Sequence, residues 1–433
     1  MLFIRVVFSV VLEARLERRY KKLVRSHMMS SDLLSSGIKS SLDGCEAFSQ
    51  TQAAWRFFNN DRCSLEALMQ PILASGKKQT KDLCHEYALI AHDWSGLSYK
   101  SHHSKIERYG IHNEQDLGYE LQSSLLLSDI HGGPISPVAV NLVSKTKVLS
   151  TYSSVINRTE THLNELAKRV DYIEGCGFEK ECVHIIDREG DSAHFMRALE
   201  GKKWLLRCKA NSHITYAGKS MRTDQLAKQL AYTKTREVSY AGRIVDQHLS
   251  EAAIHIARPG STNKGLDGLK QKIAGKSLSA RLIVSKIVDK EGKVLSWWYL
   301  LTNVQDRDMA DIALWYYWRW GIESFFKLLK SAGMHLENWQ QESVEAIARR
   351  ILVACMACVF VWQIAESKGP EAGELRNLLI RLSGRQMKYG VSFTRPALLA
   401  GLCSLLNTLD LLRDYDGDDL KNMLQKILKT QLV

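Results

Sequence analysis

Tyr316, Arg319, Glu323 and Lys330 are separated by three, four and seven residues. At about 3.6 residues per turn, that spacing predicts one helix face bearing a phenol, a carboxylate and two cations. Lys327 adds a third cation one turn beyond Glu323. A carboxylate set among cations and aromatic rings suits holding a metal ion while gripping phosphates. The same spacing also fits an ordinary amphipathic helix in which Arg319 and Lys327 pair with Glu323.

Two aspartates upstream bear on that choice. The apolar runs from Tyr87 to His92 and from Cys182 to Ile186 read as buried strands, and each ends on an acid, Asp93 or Asp187. A carboxylate at a strand end projects from a rigid edge. Ser95 through Tyr99 read as strand and turn, while Asp187 opens Arg188-Glu189-Gly190-Asp191 ahead of a helix from about Ser192 to Leu199. Either aspartate alone reads equally as a loop acid or a helix cap. Together with Glu323 they favour a divalent-metal site.

These residues resemble the bacterial DDE transposases of the IS-four insertion-sequence group, the group that includes the transposon-five transposase. The family signature Tyr-x2-Arg-x3-Glu-x6-Lys is met in full by Tyr316, Arg319, Glu323 and Lys330. The first family aspartate precedes a Leu-Ser-Tyr element, as Asp93 precedes Leu97-Ser98-Tyr99, and the second stands in the context Asp187-Arg188-Glu189. Further landmarks are Leu16 to Leu23, Ala54 to Asn60, Leu205 to Lys209 and Trp298 to Thr302, so the resemblance runs from about residue 14 to the end.

The resemblance implies cut-and-paste transposition of an insertion sequence by phosphodiester hydrolysis and strand transfer, through a hairpin intermediate. Asp93, Asp187 and Glu323 are then the catalytic acids and the ligands of two Mg2+ ions, with Mn2+ as the alternative, about 3.5–4 Å apart. The attacking group is water for nicking and then a DNA 3′-hydroxyl. Tyr316, Arg319 and Lys330 would grip phosphates, with Lys327 and Arg188 also against DNA. Trp298 matches a base-stacking tryptophan, a contact worth roughly 1–3 kcal/mol per base. On the sequence alone, without the resemblance, it reads as a strand tryptophan filling the core, with Trp297 facing the other way. Arg207 and Lys209, two apart on one strand, would face the DNA backbone together. The implied partners are the transposon-end inverted repeats, target DNA and a second copy of the chain in a homodimeric synaptic complex. A silent DNA-binding or inhibitory relative, and a metal-dependent nuclease without strand transfer, are the alternatives.

Composition is compatible with that reading. The 433 residues suffice for two or three domains, and 45% hydrophobic content supports a sizeable core. A net charge of +12 points to a polyanionic partner, with basic residues gathered at Arg15, Arg18, Arg19, Lys21, Lys22 and Arg25 and again at Arg258, Lys264, Lys270, Lys272 and Lys276. Nine cysteines without framework spacing predict reduced thiols and a cytoplasmic protein, and the family resemblance implies one associated with the bacterial nucleoid. Cys355 and Cys358 have a CxxC spacing inside an apolar helical run and read as core rather than zinc ligands. Met1 to Leu12 resembles a signal-peptide core, but Arg5 interrupts it and no small-residue cleavage site precedes Glu13. It is too short to span a membrane and reads as a packed helix or strand, or as translation from an atypical start. Family members usually carry a longer leader, so weaker recognition of the transposon end is expected.

The elements that must position the acids follow from pattern. Helices are predicted over about 14–86, strands near 88–93, 121–130 and 135–143, a helix over 155–175, and strands ending at Asp187 and spanning Trp204 to Lys209. This order fits an α/β fold with a ribonuclease H-like core, a mixed sheet flanked by helices. Strand-like runs at 236–245, 251–258, 279–288 and 294–302 predict an inserted β-rich subdomain at about 211–303. The expected organisation is a helical DNA-binding region at 1–70, a catalytic core at 71–340 and a helical dimerisation region at 341–433, Leu-rich at 394–412 and 417–430.

Overall fold

The computed structural model describes residues 12–29, 44–153, 156, 158, 161–240, 242–264 and 270–428. Of the opening apolar run, residues 1–11 lie outside the described residues. The chain divides into two compact units, one drawn from 69–96 and 108–325, the other from 9–68, 97–107 and 326–433.

Helices α1 (Ala14–Met29), α2 (Gly44–Phe58) and α3 (Leu65–Leu83) come first, where the sequence predicts helix over 14–86. They are followed by β1 (Tyr87–Ser98), β2 (Tyr109–Gly110), β3 (Leu117–Ser128), β4 (Pro134–Val143) and β5 (Val148–Ser150). Next come α4 (His162–Gly175), β6 (Glu181–Ile186), α5 (Ala193–Ala198) and β7 (Lys203–Cys208). The β-rich interval holds β8 (His213–Tyr216), β9 (Lys219–Arg222), the short α6 (Thr223–Ala227), β10 (Thr233–Tyr240), β11 (Arg243–Ile256), β12 (Gly260–Lys264), β13 (Lys270–Ile273), β14 (Leu278–Val288) and β15 (Val294–Thr302). Helices α7 (Met309–Trp318), α8 (Trp320–Lys327), α9 (Val344–Glu366), α10 (Pro370–Leu382), α11 (Arg395–Leu411) and α12 (Gly417–Leu428) complete the described chain.

In the first unit, β1, β6 and β7 pair in parallel, with Ile90 opposite His184 and Ile185 opposite Leu205. Tyr87 to Ala91 are buried on both faces, as parallel strands covered on each side must be. Antiparallel β3, β4 and β5 extend the sheet on one side. On the other side the order is β7-β15-β14-β11-β8-β9, with β10 beside β11, so most strands of the β-rich interval prolong the same sheet, entered where β15 lies antiparallel to β7, while β12 and β13 pair as a separate two-stranded sheet. Thr161 caps α4 by accepting the Asn164 N–H, and Ser192 caps α5 through the Phe195 N–H. Both helices press apolar side chains, among them Leu166, Val170, Phe195 and Met196, into a core shared with Trp204, Leu206, Leu282 and Leu301.

Two local expectations change. Asp93 does not end its strand, because β1 continues to Ser98; its parallel pairing with β6 stops at His92, which frees the far end from that partner. The stretch from Tyr316 to Lys330 is not one regular helix. The Arg319 N–H divides between the Trp315 and Tyr316 carbonyls at 3.2 Å each, and Leu328–Ala332 forms a π-helical turn that shifts the register before Lys330.

In the second unit, α9 is buried along most of its length, and Cys355 and Cys358 lie wholly inside it as packing residues. No helix among the described residues is long and apolar enough to cross a membrane. The buried Arg350 of α9 donates to His27 Nε2 of α1 at 3.1 Å and to Gln341 Oε1 at 2.8 Å, with its guanidinium 4.2 Å above the Trp339 ring. Burial and the Arg350 charge push His27 down to about 3, against the pull of its bond to the Leu23 carbonyl. A depressed folded value means that the neutral ring stabilises the fold above the ordinary range near 6.5, and that this contribution is lost as pH falls toward 3. By pH 4 the loss should reach about 3 kcal/mol, at about 1.4 kcal/mol per pH unit below 6.5. Urea midpoints measured from pH 7 to pH 4 should fall more steeply for the native protein than for His27→Gln.

Candidate active site

Asp93, Asp187 and Glu323 all lie in the first unit, and one guanidinium joins them. Arg319 Nη1 is 3.0 Å from Asp93 Oδ2, while Nη2 is 3.1 Å from Glu323 Oε1 and 3.7 Å from Asp187 Oδ2. Asp93 arrives on β1, Asp187 one residue beyond β6, and Glu323 in the first turn of α8. Asp187 turns the chain through the 3-10 segment Arg188–Gly190, with its carbonyl accepting the Gly190 N–H at 2.8 Å. A Cβ on Gly190 would lie 2.7 Å from Ile186 Cγ2, so the tight turn requires a glycine.

The three acids differ electrostatically. Burial raises Asp93 above the carboxylate range, opposed by Arg319 and the Trp94 N–H. Burial likewise raises Glu323, although Arg319 offsets part of it, and the neighbouring aspartates add to the rise. Burial pushes Asp187 upward too, but Arg319, the Tyr316 hydroxyl donating at 2.7 Å and the Arg188 N–H outweigh it, and the net shift is downward. Asp187 is thus the acid most firmly held as a carboxylate.

The other sequence-predicted residues are placed unequally. Trp298 stands on β15 with Tyr316 edge-on at 5.7 Å and the Arg207 guanidinium 5.8 Å from its ring, so these three border the acids. Trp297 faces the other way and stacks on Tyr299. Lys209 is exposed one residue past β7, and its N–H donates to Asp191 Oδ2 at 2.8 Å. Arg188 is exposed in the 3-10 turn and Lys327 is exposed on the last turn of α8. Lys330 belongs to the second unit, where its Nζ is 3.1 Å from Glu337 Oε1. Of the basic clusters, Arg15, Arg18, Arg19 and Lys22 join Arg56 and Arg62 around a cleft of about 460 Å³ in the second unit. Arg258 is tied to Asp191 and Lys276 to Glu200, while the side chains of Lys264 and Lys270 lie outside the description.

Sequence reasoning missed two groups beside the acids. Asp191, almost fully buried, binds Arg258, the Lys209 N–H and the Ser212 hydroxyl, and so fixes the turn after Asp187 to the end of β7. His162 bridges Glu120 at 3.0 Å and Glu189 at 3.1 Å, with its ring 4.5 Å from Trp94. Only the adjacency of Trp94 to Asp93 and of Glu189 to Asp187 hinted at this. The bonds to Glu120 and Glu189 raise His162 to about 10 in spite of burial. A raised folded value gives stability that is complete below about 6.5 and lost as pH rises through 10. Solvent reaches a third of the ring, so the screened contribution is about 1–2 kcal/mol. Denaturant midpoints between pH 7 and pH 10 should decline for the native protein and flatten in His162→Asn.

Residues 155–360 match the transposase DDE domain family, a stretch that holds Asp187 and Glu323 and starts beyond Asp93. A match to that domain indicates a DNA-cleaving, strand-transferring enzyme. Among solved structures, the chain is similar to the piggyBac transposase synaptic complex with hairpin DNA, at a TM-score of 0.37 and 10% identity over 97% of this chain and 75% of that one. A likeness of that size carries no inference about this chain. No curated protein matches it.

DDE transposases generally use divalent metal ions. Among the described residues, no three His, Cys, Asp or Glu side chains stand close enough to chelate an ion as they are. The donor set nonetheless suits a hard cation, because it is all carboxylate oxygen and three acids against one guanidinium leave the cluster negative. Arg319 occupies the point on which they converge.

Proposed function

We propose that this chain is a cut-and-paste DNA transposase in which Asp93, Asp187 and Glu323 form the catalytic centre of a ribonuclease H-like core. The observation that carries the proposal is the convergence of the three carboxylates within 3.7 Å of one guanidinium. Parallel β1, β6 and β7, flanked by antiparallel β3 to β5, support the core assignment.

Asp93, Asp187 and Glu323 would hold Mg2+ or Mn2+, which when bound supplies the positive charge that withdraws electrons from the scissile phosphate. Asp187 enters the reaction ionised, held so by Tyr316 and Arg319. Arg319 and Tyr316 offer N–H and O–H donors to phosphate oxygens, and Arg207 adds a cation on the same side. In nicking, a water oxygen forms the new bond to phosphorus as the 3′-oxygen departs; in joining, a DNA 3′-hydroxyl takes the place of water. Attack by the first freed 3′ end on the opposite strand gives the hairpin. The half-buried Trp298, braced by Tyr316 and Arg207, provides the face on which an unpaired base stacks.

The basic cleft between α1 and α2 supports transposon-end DNA as a partner. Exposed Leu409, Leu412, Met423 and Leu424 on and beside α11 and α12 support a homodimer. The test is a Mg2+-dependent assay on DNA carrying the flanking inverted repeats of the encoding element. Nicked, hairpin and strand-transfer products are expected. Cleavage without joining would indicate a nuclease, and binding without cleavage a silent relative.

A further inference from the structure

We infer that Arg319 is a resident counter-ion that competes with divalent cations for Asp93, Asp187 and Glu323, so that loading the site requires its guanidinium to leave. The inference rests on the reading of these acids as metal ligands. The terminal nitrogens of Arg319 take the position that a shared ion would need, and two cations at one point repel. Without a cation there, three partly buried carboxylates would repel one another, so the guanidinium holds the cluster together.

Its attachment is also of a kind that can be released. The side chain is 4% exposed, yet Nε is buried without a hydrogen-bond partner, so the acids hold the guanidinium through Nη1 and Nη2 alone. The residue stands at the junction of α7 and α8, where its N–H is already divided between two carbonyls and the helix is not regular. A phosphate is the natural destination of the displaced group, since planar N–H donors match phosphate oxygens. DNA backbone and divalent cation would then load together, with Arg319 passing from carboxylates to phosphate as the ion enters.

The experiment titrates the full chain with Mn2+ in the absence of DNA and reads free Mn2+ by electron paramagnetic resonance. The native protein is compared with Arg319→Ala, Arg319→Lys and Asp187→Ala. Arg319→Ala is expected to bind Mn2+ about tenfold or more tightly than the native protein, within the usual range of coupling between two sites. Arg319→Lys should fall between them, because one ammonium cannot span three carboxylates. Adding a short duplex of arbitrary sequence should tighten Mn2+ binding to the native protein and leave Arg319→Ala unchanged. If Asp187→Ala weakens binding while the native protein and Arg319→Ala bind equally, the acids are metal ligands and the competition is refuted. If Asp187→Ala changes nothing, the reading of the acids fails as well. Should Arg319→Ala not fold, Arg319→Lys decides, and native-like Mn2+ affinity in that variant overturns the inference.

Discussion

Asp187→Asn should lower DNA strand cleavage by roughly 10³-fold or more, equivalent to about 4 kcal/mol of barrier. The amide oxygen can still accept from the Tyr316 hydroxyl, and the residue still opens the Arg188–Gly190 turn, so geometry is largely kept. What disappears is the negative charge on the acid most firmly held ionised among the three. The variant should therefore bind end DNA like the native protein and show an unchanged thermal midpoint within a few degrees. Glu323→Gln should cause a loss of the same order, since it too preserves shape and removes charge. Gel resolution of nicked, hairpin and joined products, with parallel binding and melting measurements, separates loss of chemistry from loss of fold. Near-native cleavage by both variants would remove these acids from the mechanism.

Gly401→Ala should destabilise the protein by about 3 kcal/mol or more, from backbone overpacking in a close helix contact. In an ordinary exposed helix interior the same change stabilises by roughly 1 kcal/mol. The sign reverses because a Cβ at Gly401 of α11 would lie 1.8 Å from the Leu379 carbonyl oxygen of α10 and 2.5 Å from its carbon. A backbone carbonyl cannot swing aside as a side chain can, so the two helices must separate. Gly373, inside α10, is the matched control, because a Cβ there meets nothing within 4 Å. Gly373→Ala should stabilise by about 0.5–1 kcal/mol. Urea unfolding of both variants tests the contrast, and similar midpoints for the two would contradict the close approach.

Much of the local structure is legible because it depends on neighbours along the chain. The apolar runs before Asp93 and Asp187 announce β1 and β6, and Ser192 announces the start of α5. The spacing of Tyr316, Arg319 and Glu323 places them together because adjacent helical turns are set by backbone geometry alone. That rule fails at Lys330, where a π turn intervenes and Glu337 takes the ammonium. Strand patterning likewise leaves the end of β1 open, and the strand runs on through Ser95 and Gly96 to Ser98. The β-rich interval is visible as strands, yet its joining of the main sheet through β15 and β7 depends on pairing across 90 to 96 intervening residues, from Tyr299 with Cys208 to Thr302 with Leu205, which no short-range pattern encodes.

By itself, the sequence determined which residue types can do chemistry here: three carboxylates, an arginine and a tyrosine at helical spacing, and strands able to hold two of the acids rigidly. Folding adds what local pattern does not hold: Arg319 among all three carboxylates, His162 between Glu120 and Glu189, and Trp298 against Tyr316. The division has a physical origin. Helix and strand periodicity follow from backbone bonding over a few residues, whereas the distances between charges on β1, β6 and α8 follow from how buried strands pair and how a helix packs beside them.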